Sequence, residues 1–452
     1  MGYEADGERR IKILSLCEEF RSNNQISNEV FEKYGVKRGL RNSDGTGVIA
    51  GLTNICNVHG YLIDDGERIP DHGKLTYRGI DVADIIHGCA ADNRFGFEEV
   101  IWLLIFGTQP TKKQLEDFTD IISSYRELPE YFAEDMIIKA PSANIMNKLA
   151  RSVLALYSYD ENPDSTALEN VMRQSIQLIA RLPSIMTYSY QVKRRHFDKE
   201  SMYFHPLVPS HSTSEAILHT LRPDSRFSDE EAKLLDTCLI LHAEHGGGNN
   251  PTFTTRVLSS SGTDTYSAIA GSLKGPRHGG ANHRVMTMMK ELMREVKDWT
   301  NDDEIAAYLA KILRKEAGDK SGLIYGMGHA IYTLSDPRAM ILKEQAKKLS
   351  AQKGMTEQFD LFERVERLSP EVFEQVKGVS KVICANVDFY SGFVYDMLGL
   401  SSDLYTPIFA VSRIAGWCAH RIEELTTCRR IIRPAYRSIT HNQGYIPLEK
   451  RG

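Results

Sequence analysis

From about residue 80 to its end the chain repeats apolar side chains at helical spacing, and this periodicity restricts the fold more than any other feature. Val285, Met288, Met289, Leu292 and Val296 predict a helix from about Ala281, and charged amphipathic helices are predicted over Ile305 to Leu313 and Ala339 to Leu349. Prolines at 110, 129, 141, 163, 183, 206, 209 and 223 break the pattern into separate helices. The run from Val100 to Phe106 is wholly apolar, too short to span a bilayer, and reads as a buried helix segment. Residues 8 to 35 also look helical, with Ile11, Leu14, Cys17 and Phe20 on one face and a break at Gly35. Only residues 45 to 80 differ: Val48-Ile49-Ala50, Asn57-Val58 and Leu75-Thr76-Tyr77 are short runs separated by turn signals, as in a small sheet. The expected class is mainly α with a small N-terminal β region.

A chain of 452 residues with 42% hydrophobic content can bury a large core, and its length suggests more than one domain. No low-complexity linker divides it, so a second domain must be inserted between helices of the first. Residues 281–389 are expected to form that small domain, bounded by glycine-containing turns that can act as hinges, with 1–280 and 390–452 forming the large one. A net charge of -5 with both signs interspersed gives no reason to expect nucleic acid or a membrane surface as partner. Residues Met1 to Asp6 carry no apolar signal core, and seven scattered cysteines suit a reducing cytoplasm.

Within this framework a few residues stand in settings that suit chemistry. Gly275-Pro276-Arg277-His278-Gly279-Gly280-Ala281-Asn282 sets an imidazole between backbone breakers and a helix start. The positive end of that helix disfavours imidazolium, leaving His278 neutral and able to pass one proton near neutral pH. His242 and His245 close an apolar helix ahead of Gly246-Gly247-Gly248-Asn249; His242 reads as a core histidine with a backbone partner, and His245 as the ligand-facing one. In Gly326-Met327-Gly328-His329-Ala330 the glycines again let backbone approach a ligand, and Arg338 follows in Asp336-Pro337-Arg338. Asp388, among apolar residues at a helix start, is open to two roles: helix cap, or a base whose pKa burial has raised. Arg413 in an apolar helix and Arg433 after two isoleucines require carboxylate or phosphate partners, or internal ion pairs. Taken together, these residues suit an enzyme that binds a small polycarboxylate and moves protons at neutral pH.

These blocks, in this order, resemble the citrate synthase family: the His278 and His245 glycine segments, Gly-x-Gly-His329-Ala330 with Asp336-Pro337-Arg338, Asn386-Val387-Asp388 with Ser391-Gly392, Ser412-Arg413 and Arg433-Pro434. Lys74 to Gly79 resembles the family's early strand and turn. The resemblance implies a two-domain helical homodimer of the tricarboxylic acid cycle that condenses acetyl-CoA with oxaloacetate and water to citrate and CoA. It implies that Asp388 removes a methyl proton while His278 donates to the thioester oxygen, and that His329 polarises the oxaloacetate carbonyl. His245, Arg338 and Arg413 would hold oxaloacetate, Arg433 would reach the partner's active site, and Lys381, Gly326 and Gly328 would meet CoA. No metal and no cofactor beyond the two substrates is implied. The chain departs from the family at Ile331-Tyr332-Thr333-Leu334, which lacks a basic residue often present for the CoA phosphates.

Other readings remain open on the residues alone. A 2-methylcitrate synthase would use the same catalytic groups with propionyl-CoA. A metal hydrolase ligated by His242, His245 and His278 would leave Asp388 and the arginines unexplained. A catalytically dead dicarboxylate-binding protein would keep the arginines and lack turnover.

Overall fold

The structure, a computed structural model, describes residues 2–42, 45–65, 67–273, 280–378, 382–428 and 430–451. His278 and Lys381, two of the predicted site residues, lie outside them. The described chain divides into two compact units, residues 1–52 and 53–452.

The first unit holds helices Gly2–Asn23 and Asn28–Lys33 and a short 3-10 turn at Arg38–Leu40. The single helix predicted from 8 to 35 is thus two, separated at residues 24–27, although Gly35 does adopt the positive φ of a terminator. The predicted face is exposed: Ile11, Leu14 and Phe20 are 55% accessible or more. Val48-Ile49-Ala50 is not a strand; Gly47 makes one isolated bridge with Arg41, and Ile49 faces solvent.

The second unit begins with an antiparallel sheet in the order β1 (Cys56–Asp64), β2 (Glu67–Tyr77), β3 (Ile80–Asp81). Register runs from Cys56 opposite Tyr77 to Asp64 opposite Glu67, with an irregularity between His59 and Tyr61. Cys56, Leu75 and Tyr77 enter the core, while Leu62, Ile63 and Ile69 at the hairpin tip are exposed. Helices follow to residue 427, as their periodicity predicts. The Val100–Phe106 run lies in helix Phe97–Phe106, the His278 block leads into Ala281–Glu295, and Pro337–Lys353 covers the predicted Ala339–Leu349. Among the described residues no helix is long and apolar enough to cross a membrane.

The helix Tyr405–Thr427 is the axis of this unit, packing against Leu168–Lys193, Asn250–Ser260, Phe97–Phe106 and Asp229–His242. It is buried on every side, with Ile408, Ile414, Trp417 and Cys418 packed among the neighbouring helices and Arg413, His420 and Arg421 buried with internal partners. Its Gly416 leaves room for a carboxylate: a Cβ there would stand 2.0 Å from Glu244 Oε2 and 2.6 Å from the Ala243 carbonyl. Alanine is favoured over glycine in a helix by about 1 kcal/mol, but overpacking against backbone costs more. Gly416→Ala is therefore expected to lower stability by about 1–3 kcal/mol, read as a reduced urea midpoint with unchanged m-value.

Candidate active site

Three segments meet at the predicted pocket. Helix Asp229–His242 starts with a capping box, in which Ser228 accepts from the Glu231 amide and Glu231 from the Ser228 amide. At the other end the Tyr77 hydroxyl donates to the carbonyls of Ile240 (2.9 Å) and Glu244 (3.2 Å), and Gly246 turns the chain at φ +86°. His245 is held between these stops and is 7% exposed.

The loop carrying His329 is laced to the start of helix Val387–Met397. Gly328 N–H donates to Cys384 O (2.7 Å), Asn386 N–H to Gly326 O (2.8 Å) and Asn386 Nδ2 to Gly328 O (2.9 Å). Gly326 is required here, because a Cβ would lie 2.7 Å from the Phe389 ring and φ is +82°. Gly326 and Gly328 thus bring His329 and Asp388 into one neighbourhood, a structural role beside the CoA contact predicted for them. His329 Nδ1 accepts from the amides of Ile331 and Tyr332, both at 3.1 Å. That nitrogen is therefore an acceptor and the ring proton sits on Nε2, the tautomer that can donate to a carbonyl oxygen.

Asp388 is not the helix cap. Asn386 holds that position, its Oδ1 accepting the Asp388 amide at 3.0 Å, so the Asp388 carboxylate is released from capping. Burial pushes its pKa up to about 6; Arg338 pulls back, Asp336 pushes further and Arg413 pulls back. A carboxyl at that value is a stronger base than an ordinary aspartate and still ionised at pH 7.

Both central arginines are almost wholly buried. Arg338 Nε and Nη2 donate to the two oxygens of Asp336 at 3.0 and 2.7 Å. Burial works against its charge, yet Asp336 more than offsets this and the pKa stays above the usual value. Arg413 takes neutral acceptors instead: Nε donates to His242 O at 2.5 Å and Nη1 to Asn249 Oδ1 at 3.2 Å, with the guanidinium over the Phe409 ring. Among the described residues each guanidinium commits two of its five N–H groups to the protein, which leaves three that could meet a carboxylate. His242, expected to have a backbone partner, has none for either ring nitrogen among the described residues; burial, then Arg338 and Arg413, keep it neutral.

Asp336, Asn386, Asn249 and Tyr332 escaped the sequence reading as site-forming residues. Asp336 was signalled, since an aspartate before Pro337 at a helix start is a preferred cap, and it does accept the Arg338 amide. Arg433 lies exposed on the extended segment after residue 430, and among the described residues nothing bonds it to the pocket of its own chain. Nor, among those residues, is any group of three or more His, Cys, Asp or Glu side chains placed to hold a metal ion.

The family model described as citrate synthase, C-terminal domain, matches residues 41–435. The chain belongs to the citrate synthase family. Its function is the acyl transfer of that family. It is 32% identical over 434 residues to a citrate synthase of Synechocystis, covering 94% of this chain and 95% of that one. It is 30% identical over 427 residues to 2-methylcitrate synthase 1 of Corynebacterium glutamicum, at 92% and 98% coverage. Among solved structures, citrate synthase from Pyrobaculum aerophilum superposes with a TM-score of 0.71 at 29% identity, covering 89% of this chain and 93% of that one. The Thermoplasma acidophilum citrate synthase, solved with carboxymethyl coenzyme A and oxaloacetate, gives 0.72 at 24% identity over 92% and 99% of the chains, a likeness of fold.

The displaced Asp388 pKa carries a stability consequence. Below about pH 4 the carboxyl is protonated in folded and unfolded chains alike, and the burial penalty on its ionised form is absent. The penalty grows as pH rises through about 6 and is complete above it. Asp388→Asn is expected to be inactive yet about 1–2 kcal/mol more stable than wild type at pH 7, the difference vanishing near pH 4 in urea titrations.

Proposed function

We propose that Asp388, His329 and His278 carry the condensation of acetyl-CoA with oxaloacetate, and that His245, Arg338 and Arg413 hold the dicarboxylate. What supports this best is a buried carboxylate within electrostatic reach of two buried arginines, on a helix start that is hydrogen-bonded to the loop of a histidine whose tautomer is set for donation. A methyl group next to a thioester is a far weaker acid than any side chain. Proton removal by Asp388 therefore has to be matched by hydrogen bonding to the developing enolate oxygen, the role proposed for His278. The enol carbon then attacks the oxaloacetate carbonyl, which His329 Nε2–H polarises and protonates. Water hydrolyses the citryl thioester to citrate and CoA. Six N–H groups remaining on the two arginines suit two carboxylates, and charge-assisted bonds of this kind are worth about 1.5–3 kcal/mol each.

The proposal extends to the assembly. The segment from Ile431 to Leu448 has almost no regular structure, and its Ile431, Tyr436, Tyr445, Ile446 and Leu448 are all more than half exposed, an arrangement that suits an arm lying on a second copy. Arg433 on that arm would complete the partner's dicarboxylate site in a cytoplasmic homodimer of the tricarboxylic acid cycle. Residues 281–389 would close over the bound substrates as the small domain, with Lys381, Gly326 and Gly328 on the CoA side. No prosthetic group enters this scheme.

Purified protein should release thiol from acetyl-CoA only when oxaloacetate is present, and Asp388→Ala should lose at least about a thousandfold of that rate. An undiminished rate in Asp388→Ala would sink the assignment. Wild-type kcat/KM for acetyl-CoA should fall about tenfold per pH unit below pH 6 as the base becomes protonated. Propionyl-CoA, assayed alongside, decides the acyl preference, and the enzyme is expected to prefer acetyl-CoA.

The dimer has its own test. Arg433→Ala and Asp388→Ala proteins, each inactive, should regain about a quarter of wild-type activity when denatured, mixed in equal amounts and refolded together. Half of the dimers would then be mixed, each with one intact site. No recovery, with mixed dimers demonstrated by tag exchange, would exclude a shared site.

A further inference from the structure

Tyr332 stands against three of the proposed oxaloacetate groups, His329, His245 and Arg338. Its ring stacks on His329 at 4.6 Å between centroids and 29° between planes. Its hydroxyl is hydrogen-bonded to His245 Nε2 at 3.3 Å. The Arg338 guanidinium lies over its ring at 5.5 Å, and its own amide is one of the two that occupy His329 Nδ1. The residue is 2% exposed.

The surroundings have been cleared for it. A Cβ on Gly60 of β1 would lie 2.7 Å from Tyr332 Cα, and one on Gly73 of β2 would lie 2.7 Å from Tyr332 Cδ1 and 2.2 Å from Ser335 O. Glycine within a strand weakens it and marks close approach of another chain segment, and both strands accept that cost at this loop. Thr333 ties the loop to the same hairpin, donating to Asp71 O at 3.0 Å and accepting the Asp71 amide at 3.1 Å. Simple filling of the space would need no hydroxyl. A phenol buried without a partner is costly, and this one meets an imidazole of the site instead of a main-chain carbonyl.

We propose that Tyr332 is the positioning residue of the oxaloacetate site, its ring fixing the face of His329 and its hydroxyl fixing the orientation of His245. The proposal rests on the roles assigned to His329 and His245 above. The two atoms groups separate by function: the ring acts on the carbonyl-polarising histidine and so on turnover, the hydroxyl on the dicarboxylate-holding histidine and so on substrate affinity.

Tyr332→Phe keeps the stack and removes the hydroxyl. It is expected to raise the KM for oxaloacetate about five- to tenfold with kcat within about twofold of wild type. Tyr332→Leu removes the stack as well and is expected to lower kcat at least about tenfold, with phenylalanine restoring most of that loss. In a His245→Ala background the Tyr332→Phe change should add nothing further to KM. Circular dichroism and thermal midpoints report the folded fraction of each variant. If kcat falls only in proportion to the folded fraction, with KM unchanged in both variants, Tyr332 is packing and the proposal is overturned. His329→Ala runs in parallel: if it is inactive while Tyr332→Leu turns over normally, the positioning role fails and the site assignment stands. If His329→Ala retains full activity, both fail together.

Discussion

The active-site region depends on one buried carboxylate being in three places at once. Asp336 accepts from Nε and Nη2 of Arg338, caps the helix that begins at Pro337 through the Arg338 amide, and accepts the Val387 amide at 3.1 Å. The last contact reaches the start of the helix that carries Asp388, so the arginine and the base share a single anchor. Stranding either charge of such a pair costs about 3–5 kcal/mol. That cost disfavours any motion that would part Arg338 from the start of the helix carrying Asp388. It also tunes the base: Asp336 is the like charge that adds to burial in lifting Asp388, while the arginines limit the rise.

Seen as charge, the pocket is close to balanced before substrate arrives. Asp336 offsets Arg338, and Asp388 stands against Arg413, whose other anionic neighbour is Glu244. Glu244 is itself kept ionised against burial by His420 and Arg413. His420 Nδ1 accepts from Arg256 Nε at 2.9 Å, so its remaining proton sits on Nε2, 3.2 Å from Glu244 Oε1. Arg256 in turn donates to Glu424 at 2.8 Å. Behind His245 there is thus a row of buried polar groups, Glu244, His420, Arg256 and Glu424, reaching into the packed helices. In the proposed site a dianionic ligand would be drawn by the N–H groups that, among the described residues, stay unfilled on the two arginines, more than by an excess of positive charge. Such a site discriminates on geometry, because a ligand that fails to fill those donors leaves them desolvated and unpaired.

Much of this was legible in the chain, for reasons that differ by residue. Helical periodicity is a strong signal where one face is buried, and the Ala281, Ile305 and Ala339 helices follow it closely. It misled over residues 8 to 35, where the apolar positions meet no core in their own unit, and over Val48 to Ala50, where β-branched composition lacked a partner strand. Of the glycines beside His245 and His329, Gly326 is the one that close approach explains, since a Cβ there would lie 2.7 Å from the Phe389 ring. The second tier of residues was out of reach. Nothing near Asn386 in sequence announces that its side chain bonds Gly328, nor does Asp336 announce its bond to Val387, since these are contacts between segments about fifty residues apart. For the same reason Asp388 stayed ambiguous until Asn386 was seen to occupy the cap.

Tyr332 is the instructive case, because a signal for it existed on the opposite side of the contact. Gly60 and Gly73 sit inside strands that otherwise favour larger side chains, and an unexplained glycine in a strand asks what lies against it. Their partner is the loop that carries Tyr332. An arginine or lysine at position 332 would have to bury its charge in a space the hairpin closes to 2% exposure, against Arg338. An aromatic ring tolerates that arginine on its face and stacks on the adjacent imidazole, which a charged side chain at this position would not do without burying its charge.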